Sequence, residues 1–335
     1  MKHTLMLVCL LFTAHLVAAQ AITLVEQGKP TSIRGLSVVD DQVAWVSGSK
    51  GHIGLSTNGG QTWTWQQVKG FEQSDFRDIE AFSAKEAIIM SSGTPALILK
   101  TTDGGVNWKE VYRQDDKVYF LDAMAFANAK HGYVMGDPIN GKFLLLETID
   151  GGQTWHQFIT QPPALTGEAA FAASGTCLFT SKRGNELVMV TGGTTARKIT
   201  ISESKVTAEV LPIEQGQSAT GIFSYANGGG HEVFTGGNYE KDKRTDSVAC
   251  YRPAEKSKVK PILAQTQPAG YQSCVAYLQR LIFLSTGTPG SNITTDGGQN
   301  WKQIDTTSYN VCQKAKKGNL IILAGDKGKI ALFKL

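Results

Sequence analysis

Thr148-Ile149-Asp150-Gly151-Gly152-Gln153-Thr154-Trp155 is a stretch built to reverse direction and then drop an anchor. A short carboxylate such as Asp150 bonds its own backbone two residues on and tolerates a left-handed conformation. The glycine pair supplies the positive φ that a tight reversal needs. The tryptophan adds a large apolar ring for burial under a neighbouring sheet. The pattern recurs at Ser56-Thr57-Asn58-Gly59-Gly60-Gln61-Thr62-Trp63, Thr101-Thr102-Asp103-Gly104-Gly105-Val106-Asn107-Trp108 and Thr294-Thr295-Asp296-Gly297-Gly298-Gln299-Asn300-Trp301. Asn58, Asp103, Asp150 and Asp296 with Trp63, Trp108, Trp155 and Trp301 are therefore read as structural, a turn and its anchor repeated four times.

The spacing of the repeats sets the architecture. Trp63 to Trp108 is 45 residues, Trp108 to Trp155 is 47, and Trp155 to Trp301 is 146. The long interval divides into three steps of about 49, within the range of a four-stranded propeller blade. Two blades without the turn motif then lie between the third and fourth copies. The 34 residues after Trp301 hold three strands but not four. Ile22-Thr23-Leu24-Val25-Glu26 alternates apolar and polar residues and supplies the missing one. The expected fold is all-β: a seven-bladed β-propeller of four-stranded antiparallel blades, closed by the N-terminal strand, with no free edge at the seam.

The repeats resemble the Asp-box, or bacterial neuraminidase repeat, of sialidases and other propellers. Over the mature chain the strand and turn pattern is similar to the photosystem II stability and assembly factor family, including its relatives in non-photosynthetic bacteria. Gly136-Asp137-Pro138 and Gly167-Glu168-Ala169-Ala170-Phe171-Ala172-Ala173-Ser174 add local similarity. That resemblance implies a non-enzymatic assembly factor with a protein partner. Similarity to sialidases stops at the turns. Ser32-Ile33-Arg34-Gly35 lacks the proline of a sialidase Arg-Ile-Pro, and a third pocket arginine could come only from Arg197. A sialidase-like propeller that binds or hydrolyses glycans is the alternative.

Composition narrows the field further. The chain has 335 residues, 41% apolar and 19% charged, with a net charge of +4. Residues 1–19 read as a signal peptide: Lys2 makes a basic start, Leu5 to Val17 an apolar run, and Val17-Ala18-Ala19 a small-residue cleavage site. About 13 apolar residues are too few to span a bilayer. No stable membrane insertion is expected, and residues 20–335 read as one propeller domain, exported to the periplasm or secreted, and monomeric. The small positive charge, with no basic run alternating with aromatics, excludes nucleic acid. Cys177, Cys250, Cys274 and Cys312 share no close motif and read as free, buried thiols. The six histidines are scattered, so no metal site is read, and no phosphate cradle, nucleophile elbow or other cofactor motif appears.

Strands follow from alternation and β-branched runs in every blade. In the two blades without the turn motif, Glu168–Phe171 and Leu187–Thr191 are read as the first two strands of blade four. Gly221–Tyr225 and His231–Thr235 are read as those of blade five.

In such a blade the start of the innermost strand and the loop between strands two and three emerge on one face of the ring. The Asp-box turns emerge on the other. Loops on a rigid scaffold are the usual place for binding residues. The inner-strand starts and these loops bring forward Arg34, Arg77, Asp78, Asp122, Asp137, Glu168, Arg197, Asn238, Tyr239 and Gln272 as candidates for one channel mouth. Arginines there suit a carboxylate or an acidic surface. Asp78, Asp122, Asp137 and Glu168 could supply paired carboxylates for glycoside hydrolysis, or the charges simply line a wet channel.

Overall fold

The computed structural model describes residues 21–202, 205–253 and 259–335. The signal-peptide reading of residues 1–19 lies outside the described residues. No α-helix occurs among those described. Blade one is β1-independent and holds β2 (Ile33–Val38), β3 (Ala44–Gly48), β4 (His52–Ser56) and β5 (Thr64–Gln67), where β1 is Ala21–Glu26. Blade two holds β6 (Asp75–Ala81), β7 (Ala87–Ser92), β8 (Ala96–Thr101) and β9 (Lys109–Gln114). Blade three holds β10 (Leu121–Phe126), β11 (Gly132–Ile139), β12 (Lys142–Thr148) and β13 (His156–Gln157). Each pairs antiparallel in chain order.

Burial falls from the channel outward. Every residue of β3 and β7 is buried, whereas β5 and β9 are half-buried or exposed. Second strands, covered on both faces, therefore read as unbroken apolar runs such as Ala87-Ile88-Ile89-Met90. The seam closes as expected. In blade seven, β28 (Val311–Lys314), β29 (Ile321–Ala324) and β30 (Ile330–Lys334) are completed by β1 on the outside. Ile22 pairs with Phe333 and Leu24 with Ala331.

Blade four departs from the sequence reading. Its inner strand is β15 (Leu178–Thr180), followed by β16 (Glu186–Val190), β18 (Arg197–Ser202) and β19 (Lys205–Val210). Glu168–Phe171 is not that strand. Glu168–Ala169 forms the short β14, which pairs with β17 (Gly192–Gly193), and Gly192 pairs in turn with Gly221 of β20 (Thr220–Gly228). The link joins this ladder to blade five, which continues through β21 (His231–Asn238), β22 (Ala249–Arg252) and β23 (Ile262–Leu263). The residues between β14 and β15 leave the sheet and enter the channel, for reasons given below. Blade six is regular, with β24 (Cys274–Gln279), β25 (Ile282–Gly287), β26 (Gly290–Thr294) and β27 (Lys302–Asp305).

All four repeated turns adopt one hydrogen-bonded form between third and fourth strands. In the third copy Thr148 Oγ1 donates to Asp150 Oδ1 at 2.8 Å, and Gly152 N donates to Thr148 Oγ1 at 2.9 Å. Thr154 N and Oγ1 then donate to the two carboxylate oxygens at 3.0 and 2.6 Å. Asn58 does the same through its amide, accepting from Thr62 N at 3.0 Å and donating to Thr62 Oγ1 at 2.9 Å. Each turn also bonds the hairpin between strands one and two of its own blade, as Gly151 N does to Lys130 O. This fixes the turns on that hairpin's side of the ring.

The tryptophans reach across to the preceding blade. Trp155 joins a cluster with Ile88 and Met90 of blade two, and Trp108 meets Trp45 of blade one edge to face at 6.4 Å. Four cysteines, Cys177, Cys250, Cys274 and Cys312, are free and buried.

Candidate functional site

The face opposite the turns carries a cavity of about 410 Å³ at the channel mouth. Residues from all seven blades, or from the segments leading into them, line it. Backbone irregularity aims the key side chains. The ladder of β2 with β3 slips between Ile33 and Gly35, that of β6 with β7 between Phe76 and Asp78, and that of β10 with β11 between Leu121 and Ala123. The residues left unpaired at these bulges are Arg34, Arg77 and Asp122. Blade five slips in the same way between Ile222 and Ser224, leaving Phe223 unpaired. A bulge inserts one residue against the pleat and re-aims it. Here four bulges turn four inner-strand side chains into one cavity.

The two arginines are lightly held. Arg77 donates Nε to Asp75 Oδ2 at 2.7 Å, and Arg34 Nη1 reaches Ala173 O at 3.4 Å. Among the described residues no other hydrogen bond engages either guanidinium, so most of their donors are free for a ligand. Asp122 is fully buried at the cavity edge, and neither carboxylate oxygen has a hydrogen bond of ordinary geometry. Burial first, then the nearby Asp137 charge, raises its pKa well above the carboxylate range, although Arg77 and the Ala172 amide oppose this. Its protonated form is therefore favoured. Asp326 behaves oppositely. Burial raises it, but Ser32 Oγ at 2.5 Å, Asn310 Nδ2 at 3.0 Å and the charge of Arg34 outweigh that and hold it low.

One side of the mouth is aromatic. Phe171 stacks on Phe223 at 3.9 Å, and Tyr271 meets Phe223 edge to face at 4.8 Å. Tyr239 stands 6.1 Å from Phe223 and is exposed. The cavity thus offers guanidinium donors and π-faces together.

The segment 170–177 plugs the channel beneath. Ala170 N donates to Asp137 Oδ1 at 3.1 Å, Ser174 Oγ to Ser273 O at 2.7 Å, and Thr176 Oγ1 meets Ser224 Oγ at 2.6 Å. Gly175 sits at φ 70°, and a Cβ there would lie 2.4 Å from the Asp78 carboxylate. Only glycine fits where the plug crosses that acid. Apart from Phe171, whose ring turns to the mouth, the stretch Ala170–Gly175 is built of small residues that fit within the lumen, and blade four begins its inner strand only at Leu178.

The ten residues singled out from sequence divide accordingly. Arg34, Arg77, Asp122 and Tyr239 line the cavity. Asp137 lies behind it, holding the plug through Ala170. Asp78, Glu168, Arg197, Asn238 and Gln272 do not line it. Asp78 is buried under the plug, where its two oxygens accept from Ile79 N at 2.8 Å and Met124 N at 2.7 Å. Desolvation nonetheless pushes its pKa up to about 8.

Glu168 and Arg197 form a buried bidentate pair at 2.8 and 2.5 Å that also engages Thr191 and Leu165. Asn238 Oδ1 accepts from Glu240 N and Lys241 N, and Gln272 bonds Gly270 O, Tyr271 O and Ser285. These five secure backbone. Sequence reasoning missed Phe120, Phe171, Phe223 and Tyr271. An alternation pattern carries no sign of the Phe223 bulge, and Phe171 lies in a run whose composition suits a strand.

The fold and this mouth define a seven-bladed propeller with a plugged channel and a polar, aromatic-edged opening on one face. The sequence model of the family described as "Photosynthesis system II assembly factor YCF48" matches residues 19–119. A curated relative, "Photosystem II assembly lipoprotein Ycf48" of Synechococcus sp. (strain CC9902), is 24% identical over 184 residues, 54% of this chain. The aligned region spans about half of that relative, 52%.

Among solved structures, "YCF48 bound to D1 peptide" superposes with a TM-score of 0.67 at 16% identity, covering 96% of this chain and 97% of that one. YCF48 from Cyanidioschyzon merolae gives 0.65 at 13% identity, covering 93% and 98%. The Pan2 WD40 domain of Neurospora crassa gives 0.63 at 14%, covering 90% and 89%. The structural likenesses concern the fold. In sequence and fold together, the chain resembles the photosystem II assembly factor family of propellers.

Proposed function

We propose that the chain is an exported, non-enzymatic propeller that binds a protein partner and assists its assembly, receiving an anionic group of that partner at the channel mouth. The carrying observation is the set of inner-strand bulges that aim Arg34, Arg77, Asp122 and Phe223 into one cavity. Loosely held guanidinium groups are ready to take a carboxylate in a bidentate pair. A protonated Asp122 beside them brings no competing charge. The aromatic edge fits an apolar group beside that anion. Similarity to assembly factors whose names record a D1 peptide or photosystem II supports a protein rather than a small-molecule ligand.

The glycan reading has less support. Arg197 and Glu168 satisfy each other away from the mouth, which has two arginines and no glutamate among its lining residues.

The test is capture from a cell-envelope extract with the intact chain and with Arg77→Ala, beside a fluorogenic sialoside assay. A defined partner should be retained by the intact chain and weakened roughly 10- to 100-fold by Arg77→Ala, the loss expected for a charge-assisted bond. Unchanged thermal stability would show that the fold is intact. Equal capture by both proteins, or sialoside hydrolysis, would sink the reading.

A further inference from the structure

The plug divides the channel, and the mouth on the side of the repeated turns is a different chemical surface. Its cavity, about 740 Å³, is larger than the polar one. Phe82 and Phe126, at the ends of the blade two and three inner strands, meet edge to face at 5.2 Å. Phe179 and Tyr225, from blades four and five, meet the same way at 5.5 Å. Both pairs line the cavity, with Met124 and Leu178 between them in the apolar wall and Gly175 and Thr176 of the plug also in its lining. Phe82, Phe126 and Phe179 are only partly buried. A concave apolar site of this size accommodates several side chains.

The rim is basic. Lys182, Lys316 and Lys317 surround the aromatic throat, with Glu80 the single acid in the lining. Glu80 is already engaged by Lys316 Nζ at 2.7 Å, and the same ammonium donates to Ser37 Oγ and Ala81 O. Asp40, beside Lys317 in the backbone pairing, spends Oδ1 on the Gln42 and Val43 amides. Among the described residues, Lys182 and Lys317 form no ion pair, and both are exposed. An apolar throat ringed by unneutralised lysines complements an apolar side chain flanked by acids.

We infer that this second mouth is a docking site for an acidic peptide segment of a partner protein, which inserts a large apolar side chain between the aromatic pairs while its carboxylates meet Lys182 and Lys317. The lysines set approach and orientation, and the aromatic throat supplies the buried contact. The site is separate from the arginine mouth because residues 170–177 stand between the two cavities. A propeller with both mouths occupied would hold two segments on opposite faces, which suits a chain that brings parts together.

The experiment uses a fluorescein-labelled peptide with a central phenylalanine flanked on both sides by glutamates, titrated with the whole chain and read by anisotropy. Control peptides replace the phenylalanine by alanine or the glutamates by lysines. Binding should weaken with salt and fall by at least roughly tenfold for either control or for the double variant Lys182→Glu/Lys317→Glu. A thermal melt of the double variant should match the parent, since both side chains are exposed. The titrations are repeated in the Arg77→Ala chain, where carboxylate binding at the arginine mouth is weakened, and the loss caused by Lys182→Glu/Lys317→Glu should persist in that background. Equal binding of the alanine and phenylalanine peptides, or tolerance of the double charge reversal in the Arg77→Ala background, would each overturn the assignment. So would no binding of the phenylalanine peptide at low salt.

Discussion

Replacing Trp155 by alanine asks whether the repeated turns hold blades together or serve a ligand. The indole is 7% exposed and packs with Ile88 and Met90 of the preceding blade, with Phe126 edge-on at 5.9 Å. Its Nε1 has no hydrogen-bond partner, so truncation removes apolar contact and leaves no orphaned acceptor. The loss should be about 3–5 kcal/mol, as for other buried aromatic deletions. Asp150→Ala removes acceptors for Thr148 Oγ1, Gln153 N, Thr154 N and Thr154 Oγ1. Gln153 and Thr154 are exposed, so water replaces the carboxylate for them, and the buried Thr148 hydroxyl alone loses a partner; the cost should be smaller, about 1–2 kcal/mol in all.

With an unfolding entropy of about 2.1 cal/mol/K per residue, the tryptophan variant should melt roughly 6 °C lower and the aspartate variant roughly 2 °C lower. Calorimetry with a parallel urea titration measures both. Partner capture through Arg77 should persist in each, because the turns face away from that mouth. If Asp150→Ala proves as costly as Trp155→Ala, or if either abolishes capture while the fold melts normally, the anchor argument fails.

Deleting Ala21–Glu26 should strip the outer strand from blade seven, expose the β30 edge and lower the melting temperature, with aggregation on heating; a truncated chain as stable as the parent would refute closure by this strand. Thermal stability should also peak in mildly acidic buffer. Asp78 titrates near 4 in an unfolded chain and about 8 in the folded one, so its contribution is full below about pH 4 and declines as pH rises toward 8. Asp103, Asp150 and Asp296 are held below the usual range by their turn bonds, so their contribution is present above about pH 4 and is lost in acid. A melting temperature that rises steadily from pH 5 to pH 8 would contradict this, and Asp78→Asn should flatten the decline over that interval.

What the sequence disclosed was whatever repeats. Four copies of one turn at blade spacing gave the ring, and the alternating Ile22–Glu26 gave the seam. Arg34, Arg77 and Asp122 sit at inner-strand starts and line the polar mouth. Position within a strand, however, does not say which way a residue points once a bulge intervenes. Arg77 and Asp78 are neighbours, yet one enters the polar mouth and the other is sealed under the plug. Both ranked equally as charged residues at a strand start.

Blade four failed for a related reason. Glu168-Ala169-Ala170-Phe171 looks like a strand because its composition suits one, and Glu168 does begin a short ladder. Nothing local reveals that the next residues are wanted as filling for the channel. Their small size is legible only against Asp78, Ser224 and Ser273 on other blades.

The plug gives the inner strands of this ring a second task besides building blades. Five blades bond or abut residues 170–176: Arg34 through Ala173, Asp78 against Gly175, Asp137 through Ala170, Ser224 through Thr176 and Ser273 through Ser174. Ala170–Ala173 line the polar mouth, while Gly175 and Thr176 line the apolar one. A shift of this segment along the channel axis would deform both openings together, and Asp78 sits where such a shift must act. At neutral pH its protonated form accepts the Ile79 and Met124 amides without placing a bare charge under the glycine. Ionisation would leave a buried carboxylate with two amide donors and no countercharge in contact, and desolvation outweighs those two bonds. The plug is therefore held by bonds and contacts from five blades, with the buried acid packed directly beneath its glycine, and the two mouths share it as a common wall.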